Sequence, residues 1–516
     1  GSVLRGPELP AAPDLLPWAA APVAPERDPW GYNPVGFMGR GVAALLVVFA
    51  LLWGGHLAWV ANVAPIDNLE QLVWSRGLEW GYYKHPPLPT WLLAAATTVL
   101  GWRESTSYLL GAATTLGALA VFWWLARRLR GSVHAFVALL ATLCVTFYNG
   151  RLIYYNHNVL LLLWVCASAA ATWVALQRRS LPAWALLGVC LGLGGLSKYQ
   201  MVLAAACVLG CWLERRAWRD PVQVAGLLLA GGLSFMMFSP HLAWFVKNGA
   251  QPMAYALESS LAKGTDVTQA PWWLVDQLLN RALPAWLLLA VAAWSTRGAP
   301  PRTEPGDAPG RRFLLIWGLL PMAIMLLMGL LGRVELQLHW SAPFLPWVVL
   351  AVMELWRPRA GWSAARAAPV WTAFVLLQAL LLAHSLLTSP VGLARFRGDP
   401  PHWRHFPADA LAAAVAPAAS VLPGGRAHLV MGPYAEAGAL ALRLPGQPLV
   451  RMYVDHRYQY SPWVPYGMDA RCGAVEVIRT DERLPVPPSD ATPLGEAWPN
   501  VYWRVLLPAG GAPPCE

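Results

Sequence analysis

The chain of 516 residues is 57% hydrophobic and 13% charged, carries 30 tryptophans and has a net charge of +10. A water-soluble globular protein holds roughly 25% charged residues, so this composition excludes one and indicates a membrane protein. The positive balance does not call for nucleic acid: the basic residues stand in short clusters between apolar runs, which is the pattern of a topology signal.

Gly1-Ser2 reads as a cloning remnant, and no cleavable signal peptide is evident. Residues 1–38 are rich in Pro and Ala and are expected to form a cytoplasmic tail with at most an interfacial helix. Apolar runs of spanning length, about 17 to 25 residues, follow near 41–62, 107–126, 133–149, 159–177, 181–197 and 200–213. Others lie near 221–239, 274–295, 313–331, 341–356 and 368–388. The fold class expected is mainly α: a polytopic helical module over residues 39–390 with about eleven spans. Its outer-loop interfacial helices fall within 66–101, where the apolar segment 88–101 is too short to span.

Arg40, Arg127-Arg128-Arg130, Arg178-Arg179, Arg215-Arg216-Arg219, Arg311-Arg312 and Arg357-Arg359 occupy alternate loops, which the positive-inside rule places in the cytoplasm. The loops holding Asp67, Tyr148–Asn158, Lys198, His241–Trp273 and Arg333–His339 then face outward, as does the chain beyond Ser389. All four lysines, Lys84, Lys198, Lys247 and Lys263, map to that outer side. Two readings stay open for them: phosphate binding, or ordinary solvated lysines.

Residues 391–516 change character and are expected to form a small extracytoplasmic α/β domain. His428–Met431, Pro448–Val454, Ala474–Arg479 and Val501–Leu507 read as strands, with a helix near Ala435–Arg443. Cys472 and Cys515 lie in this part and can pair if it is extracytoplasmic. The other five cysteines read as small buried hydrophobes, and no zinc-type spacing occurs.

The densest chemistry lies in Ile66–Trp91, IDNLEQLVWSRGLEWGYYKHPPLPTW. Asp67 and Glu70 stand one helical turn apart, which suits a catalytic acid or base but equally a capping box. Lys84-His85-Pro86-Pro87 could orient an anionic ligand, or the histidine could simply satisfy a carbonyl. Asn156-His157-Asn158 opens a span, where amides either meet sugar hydroxyls or cap the helix. His241 and His339 each sit at an outer span end. Spans nearly free of ionisable groups, below outer loops rich in them, favour a surface enzyme over a transporter with a midplane site.

Asp67-Asn68-Leu69-Glu70-Gln71, followed by Tyr83-Lys84-His85-Pro86-Pro87-Leu88-Pro89, resembles the first outer loop of polytopic GT-C glycosyltransferases. The branch it resembles is the dolichyl-phosphate-mannose protein mannosyltransferase-like one, which includes the lipid A aminoarabinose transferase and rhizobial galacturonic acid transferases. Gly195–Tyr199, Ser239–Trp244 and Arg457–Trp463 also match patterns in bacterial members.

The resemblance implies an inner-membrane, multi-pass enzyme whose active site and C-terminal domain face the periplasm. It would move a sugar from a polyprenyl-phosphate donor to an envelope glycolipid, glycan or lipid A acceptor, by inverting attack. Asp67 is the implied catalytic residue, with Glu70 a second acid. Lys84, Lys198 and Arg333 are the implied phosphate ligands. Substrate contacts fall to Tyr83, His85, Asn156, Asn158, His241, His339, Gln459 and Tyr460. Asn156 stands where many relatives carry a second aspartate, so a bridging metal is not favoured: no cofactor is required, while a divalent ion stays open. The expected partners are the donor, the acceptor and membrane lipids, with no nucleic acid, and the expected state is a monomer. The alternatives are a protein O-glycosyltransferase with the same donor class and, from another class, a lipid-carrier flippase or permease.

Overall fold

The computed structural model describes residues 34–298, 308–356, 364–399, 401–454, 456–459 and 461–515. Most of the expected tail, Arg357, Arg359 and Tyr460 lie outside the described residues. Among these residues six helices are long and apolar enough to cross a bilayer: Gly39–Val60, Glu104–Arg130, His157–Arg178, Pro221–Lys247, Ala308–Gly332 and Ala365–Leu387. A helix pair, Gln269–Arg281 and Leu283–Thr296, bent by 61°, makes a seventh if it is one span. Leu228, Phe235 and Met236 on the Pro221–Lys247 helix point outward, as a lipid-facing surface requires.

Length supports six or seven spans here, where about eleven were expected. The remaining runs are helical but short: Ser132–Leu143, Leu181–Gly195, Tyr199–Glu214 and Leu345–Leu355. A 12-residue helix reaches about 18 Å, well below the roughly 30 Å hydrocarbon core. The reason is local. The run after Ser132 leaves the helix at Cys144, and the chain turns through Tyr148-Asn149-Gly150 instead of continuing.

Direction along the long helices sets two chemically different ends. Glu104–Arg130 begins beside the first loop and ends in Arg127, Arg128 and Arg130. His157–Arg178 begins at Asn156 and ends at Arg178. The polar first-loop chemistry and the arginine clusters therefore occupy opposite ends of the same helices. At the polar end the chain after Cys144 returns tightly against Glu104–Arg130. Only Gly111 permits this, since a Cβ there would lie 2.3 Å from the Tyr154 carbonyl oxygen.

The C-terminal part is a six-stranded sheet built from β1 (Leu429–Pro433), β2 (Leu449–Val454), β3 (Arg457–Tyr458), β4 (Ala474–Arg479), β5 (Thr492–Pro493) and β6 (Val501–Leu506). The order is β3-β2-β1-β4-β6-β5, with β1 parallel to both β2 and β4 and the outer pairs antiparallel. The helix Tyr434–Arg443 connects β1 to β2, as a parallel pair demands. Each expected long strand forms, within a residue or two of its expected ends. Cys472 and Cys515 are joined in a disulfide.

This domain is not separate from the first outer loop. Leu69, Leu72, Val73 and Trp74 share one apolar cluster with Leu411, Val430, Leu440 and Val475. Trp74 is fully buried and stacks on Tyr82 at 5.1 Å. Polar rivets ring the contact. Arg443 pairs with Glu104 at 2.9 Å and Asp409 at 2.5 Å and donates to the Asn62 carbonyl at 3.0 Å. Trp403 donates to the Ala64 carbonyl and Gln447 to the Trp102 carbonyl.

Arg443 joins the first span, the Glu104 helix and the C-terminal domain through one side chain. Removing it leaves the part-buried Glu104 carboxylate with the Ala64 amide but without its cation, so Arg443→Ala should cost about 1.5–3 kcal/mol. In detergent the variant should melt earlier, and protease should cut the 388–402 connection sooner than in wild type. Unchanged melting and cleavage would show that the apolar contact suffices alone.

Candidate active site

The helix Ile66–Trp74 carries Asp67 in its first turn. Its N-cap is Pro65, which makes no side-chain cap, so Asp67 is not the capping residue of a capping box. The carboxylate instead lies half-exposed near the positive end of the helix dipole. Asn156 donates Nδ2 to Asp67 Oδ2 at 2.8 Å, while its Oδ1 accepts from Val159 N at 3.0 Å and caps the helix His157–Arg178. Of its two open readings, Asn156 thus meets the helix-capping one, while its free amide nitrogen turns to Asp67. Next along the helix, Asn68 bonds Ser107 Oγ, the Ile153 carbonyl and the Tyr155 amide, tying the first loop to the segment before Asn156.

Glu70, one turn on, is buried and pairs with Lys84 Nζ at 2.8 Å. Lys84 sits at the tip of a tight turn closed by reciprocal backbone bonds between Tyr82 and His85. Tyr434, the first residue of the C-terminal domain's helix, accepts from Lys84 at 3.4 Å, and the rings of Tyr434 and Tyr255 lie 4.7 and 5.3 Å from its nitrogen. Tyr83 stacks edge-on against the same Tyr255. Burial pushes the Glu70 carboxyl up, with Lys84 opposing. Burial also works against the Lys84 ammonium, but the Glu70 carboxylate overcomes it and holds the lysine well above its ordinary value.

The prolines after His85 turn the chain into the helix Leu88–Leu100, and Leu88 N donates to the Leu196 carbonyl at 3.0 Å. That bond brings the Lys198 loop alongside. Lys198 is buried and donates to Asn158 Oδ1 at 2.6 Å, with no carboxylate bonded to it among the described residues. Burial pulls its ammonium down to about 7, Asp67 opposing. Between the two lysines, His85 stacks on His157 at 3.7 Å, and His157 meets Gln71, which accepts from Thr90. His85 lies well below the usual histidine range, first through burial and then through His157 and Lys198. His339 falls to about 4 through burial, with Lys198 adding to the shift and Asp67 opposing.

A cleft opens beside Asn156, lined also by Arg151, Tyr154, Asn158 and His339, with about 390 Å³ of empty space including its open mouth. The structure thus gathers Asp67, Glu70, Tyr83, Lys84, His85, Asn156, Asn158, Lys198 and His339. It does not gather every expected residue. His241 is fully buried and spent structurally, with Nδ1 on the Trp80 carbonyl and Nε2 on the Tyr199 hydroxyl. Arg333 is exposed and holds the Thr265 loop. Gln459 follows β3, where its amide N–H bonds the Met452 carbonyl. Arg151, Tyr255 and Tyr434 were not singled out from sequence. Only Arg151 had a signal there, as a lone arginine among the aromatics of 147–155.

The buried Lys198 has a pH signature. Its pKa is lowered on folding, so above about 7 the unfolded chain binds more protons than the folded one and stability rises with pH. Thermal unfolding of wild type should gain on the Lys198→Met variant as pH is raised from about 7 to 10. A difference that ignores pH would contradict the burial of a charge-prone amine.

Residues 84–244 match the family model described as dolichyl-phosphate-mannose-protein mannosyltransferase. The chain is 25% identical over 303 residues to an undecaprenyl phosphate-alpha-4-amino-4-deoxy-L-arabinose arabinosyl transferase 2 of Pseudomonas fluorescens, covering 54% of this chain and 52% of that one. It is 24% identical over 310 residues to the lipid A galacturonosyltransferase RgtD of Rhizobium johnstonii, covering 56% and 60%. The chain thus spans between half and two thirds of the length of these curated relatives. In structure it superimposes on ArnT from Cupriavidus metallidurans bound to undecaprenyl phosphate with a TM-score of 0.59 and 16% identity, over 90% of this chain and 98% of that one. The chain therefore has the polytopic GT-C fold, with a small C-terminal sheet, and is similar to the dolichyl-phosphate-mannose-protein mannosyltransferase-like branch of glycosyltransferases.

Proposed function

We propose that this protein is an integral-membrane glycosyltransferase that moves a sugar from a polyprenyl-phosphate carrier to an envelope glycolipid, with lipid A the favoured acceptor. The observation that carries this reading is Asp67: a half-exposed carboxylate held by Asn156 at 2.8 Å, with its second oxygen without a hydrogen-bond partner among the described residues. Lys84 and Lys198 belong to the same cluster. The relatives named for arabinosyl and galacturonosyl transfer support the same class.

In this reading the acceptor hydroxyl oxygen attacks the anomeric carbon while the bond from that carbon to the phosphate oxygen breaks, inverting the centre. Asp67 takes the hydroxyl proton as it leaves. The polyprenyl phosphate departs as an anion and needs no acid to protonate it. Lys84 and Lys198, whose side chains are largely buried, offset the charge that builds on it, and burial strengthens that attraction. Glu70 is the resting counter-ion of Lys84 and not a second base. Arg333 and His241 have no part in the step.

The site end faces the periplasm and the arginine ends face the cytoplasm of a bacterial inner membrane, following the positive-inside rule. The Cys472–Cys515 disulfide agrees, since such bonds persist in oxidising compartments. Residues 391–516 form the periplasmic domain, docked on the first loop, and the protein works as a monomer.

Label transfer from an undecaprenyl-phosphate sugar in detergent tests this. Asp67→Asn should lower turnover by at least about 100-fold while carrier-lipid binding persists, and Lys84→Met should weaken that binding. Near-normal turnover in Asp67→Asn would remove the proposed base. Carrier movement across vesicles without any transfer would replace the enzyme by a flippase.

A further inference from the structure

The cleft beside Asp67 holds a cation that the chain itself leaves unanswered. Arg281 has Asp276 at 3.7 Å, Lys84 has Glu70 and Arg443 has Glu104, but Arg151 makes no ion pair among the described residues. Its guanidinium is half-buried, lines the cleft and lies 5.5 Å from the Phe147 ring and 5.2 Å from the Tyr154 ring. Arg281 approaches the same Phe147 ring at 5.6 Å, so two like charges flank one aromatic side chain. Withdrawing a guanidinium from water and setting a second cation beside it costs free energy unless an anion joins them. An arginine stays charged under all working conditions and cannot relieve that cost by losing its proton.

The other cleft walls point the same way. Asn156 and Asn158 are spoken for on one side by Asp67 and Lys198, and His339 is held in its neutral form. The cleft wall brings no carboxylate of its own. An amine seated against that wall would meet the Arg151 charge directly.

We propose that Arg151 forms a second oxyanion subsite beside Asp67, separate from the Lys84 phosphate site, so that the group transferred or glycosylated there bears a carboxylate or phosphate and not an amine. The planar fork of the guanidinium suits either oxyanion bidentately. This rests on the glycosyltransferase reading for its place in a reaction, but the binding itself does not require turnover. Two sources share the chemistry: the carboxylate of an acidic sugar on the donor, or a phosphate on the acceptor.

The test uses the full chain in detergent, carrying Lys84→Met so that the carrier-phosphate lysine does not report. D-galacturonate, inorganic phosphate and neutral D-galactose are titrated by calorimetry, with thermal unfolding as a check on folding. Galacturonate or phosphate should bind and galactose should not. Adding Arg151→Gln should weaken the anion at least about tenfold, a loss of about 1.4 kcal/mol. Should Arg151→Gln fail to fold, Arg151→Lys keeps the charge but loses the fork and should give an intermediate affinity. Preference for galacturonate assigns the subsite to the sugar, and preference for phosphate assigns it to the acceptor. Absence of anion binding, or anion binding indifferent to both substitutions, overturns the subsite. Because no transfer is measured, that failure leaves the enzyme reading to be judged by Asp67→Asn alone.

Discussion

Asn156 is the joint on which the site depends. One amide accepts from the backbone that starts a long helix and donates to the carboxylate on a helix from another part of the chain. A capping side chain has little freedom, because the helix it caps fixes its oxygen. Its nitrogen is fixed with it, and so is the Asp67 oxygen that it holds. Asn68 repeats the device one residue away, joining the first loop to Ser107, Ile153 and Tyr155. The carboxylate is thus placed by secondary structure and not by a flexible loop, which is what a group needs if it must meet a substrate without reorganising.

The C-terminal domain completes that placement from the other side. Its helix Tyr434–Arg443 packs on Ile66–Trp74, and it brings Tyr434 to Lys84 while Arg443 grips Glu104. A lysine at a turn tip would otherwise swing in solvent. Here a carboxylate, a hydroxyl and two aromatic rings confine it, and burial makes each of those contacts stronger than it would be in water. The sheet beneath that helix therefore bears on the site indirectly, through the helix that carries Tyr434.

Charge is distributed unevenly across this site, and that unevenness has a physical logic. Lys84 is matched by the Glu70 carboxylate. Lys198 is matched by an amide oxygen and no carboxylate among the described residues, and burial leaves its proton loosely held. Arg151 is matched by aromatic faces, which receive a cation but do not neutralise it. Three cations with three kinds of partner are the ground for the two anion subsites proposed above.

Much of this could be read directly from the chain. Hydropathy showed the membrane, and the arginines that end Glu104–Arg130 and His157–Arg178 marked one end of those two helices. Strand periodicity located β1, β2, β4 and β6, because a two-residue repeat with short turns leaves few alternatives. Asp67, Lys84 and Asn156 were visible as chemistry crowded into segments that otherwise had no reason to be polar. Span length was not legible, because an apolar run does not say where its helix turns, as at Cys144. His241, Asn158 and Arg333 show the other limit. A polar residue at a span end looks the same in sequence whether it faces a cavity, a lysine or a backbone carbonyl. Tyr434 reaches Lys84 across some 350 residues of chain, and no local pattern encodes such a meeting. The sequence alone determined which residues must be solvated or paired; the tertiary structure decided with whom, because pairing is a property of distance and burial, which a linear pattern does not contain.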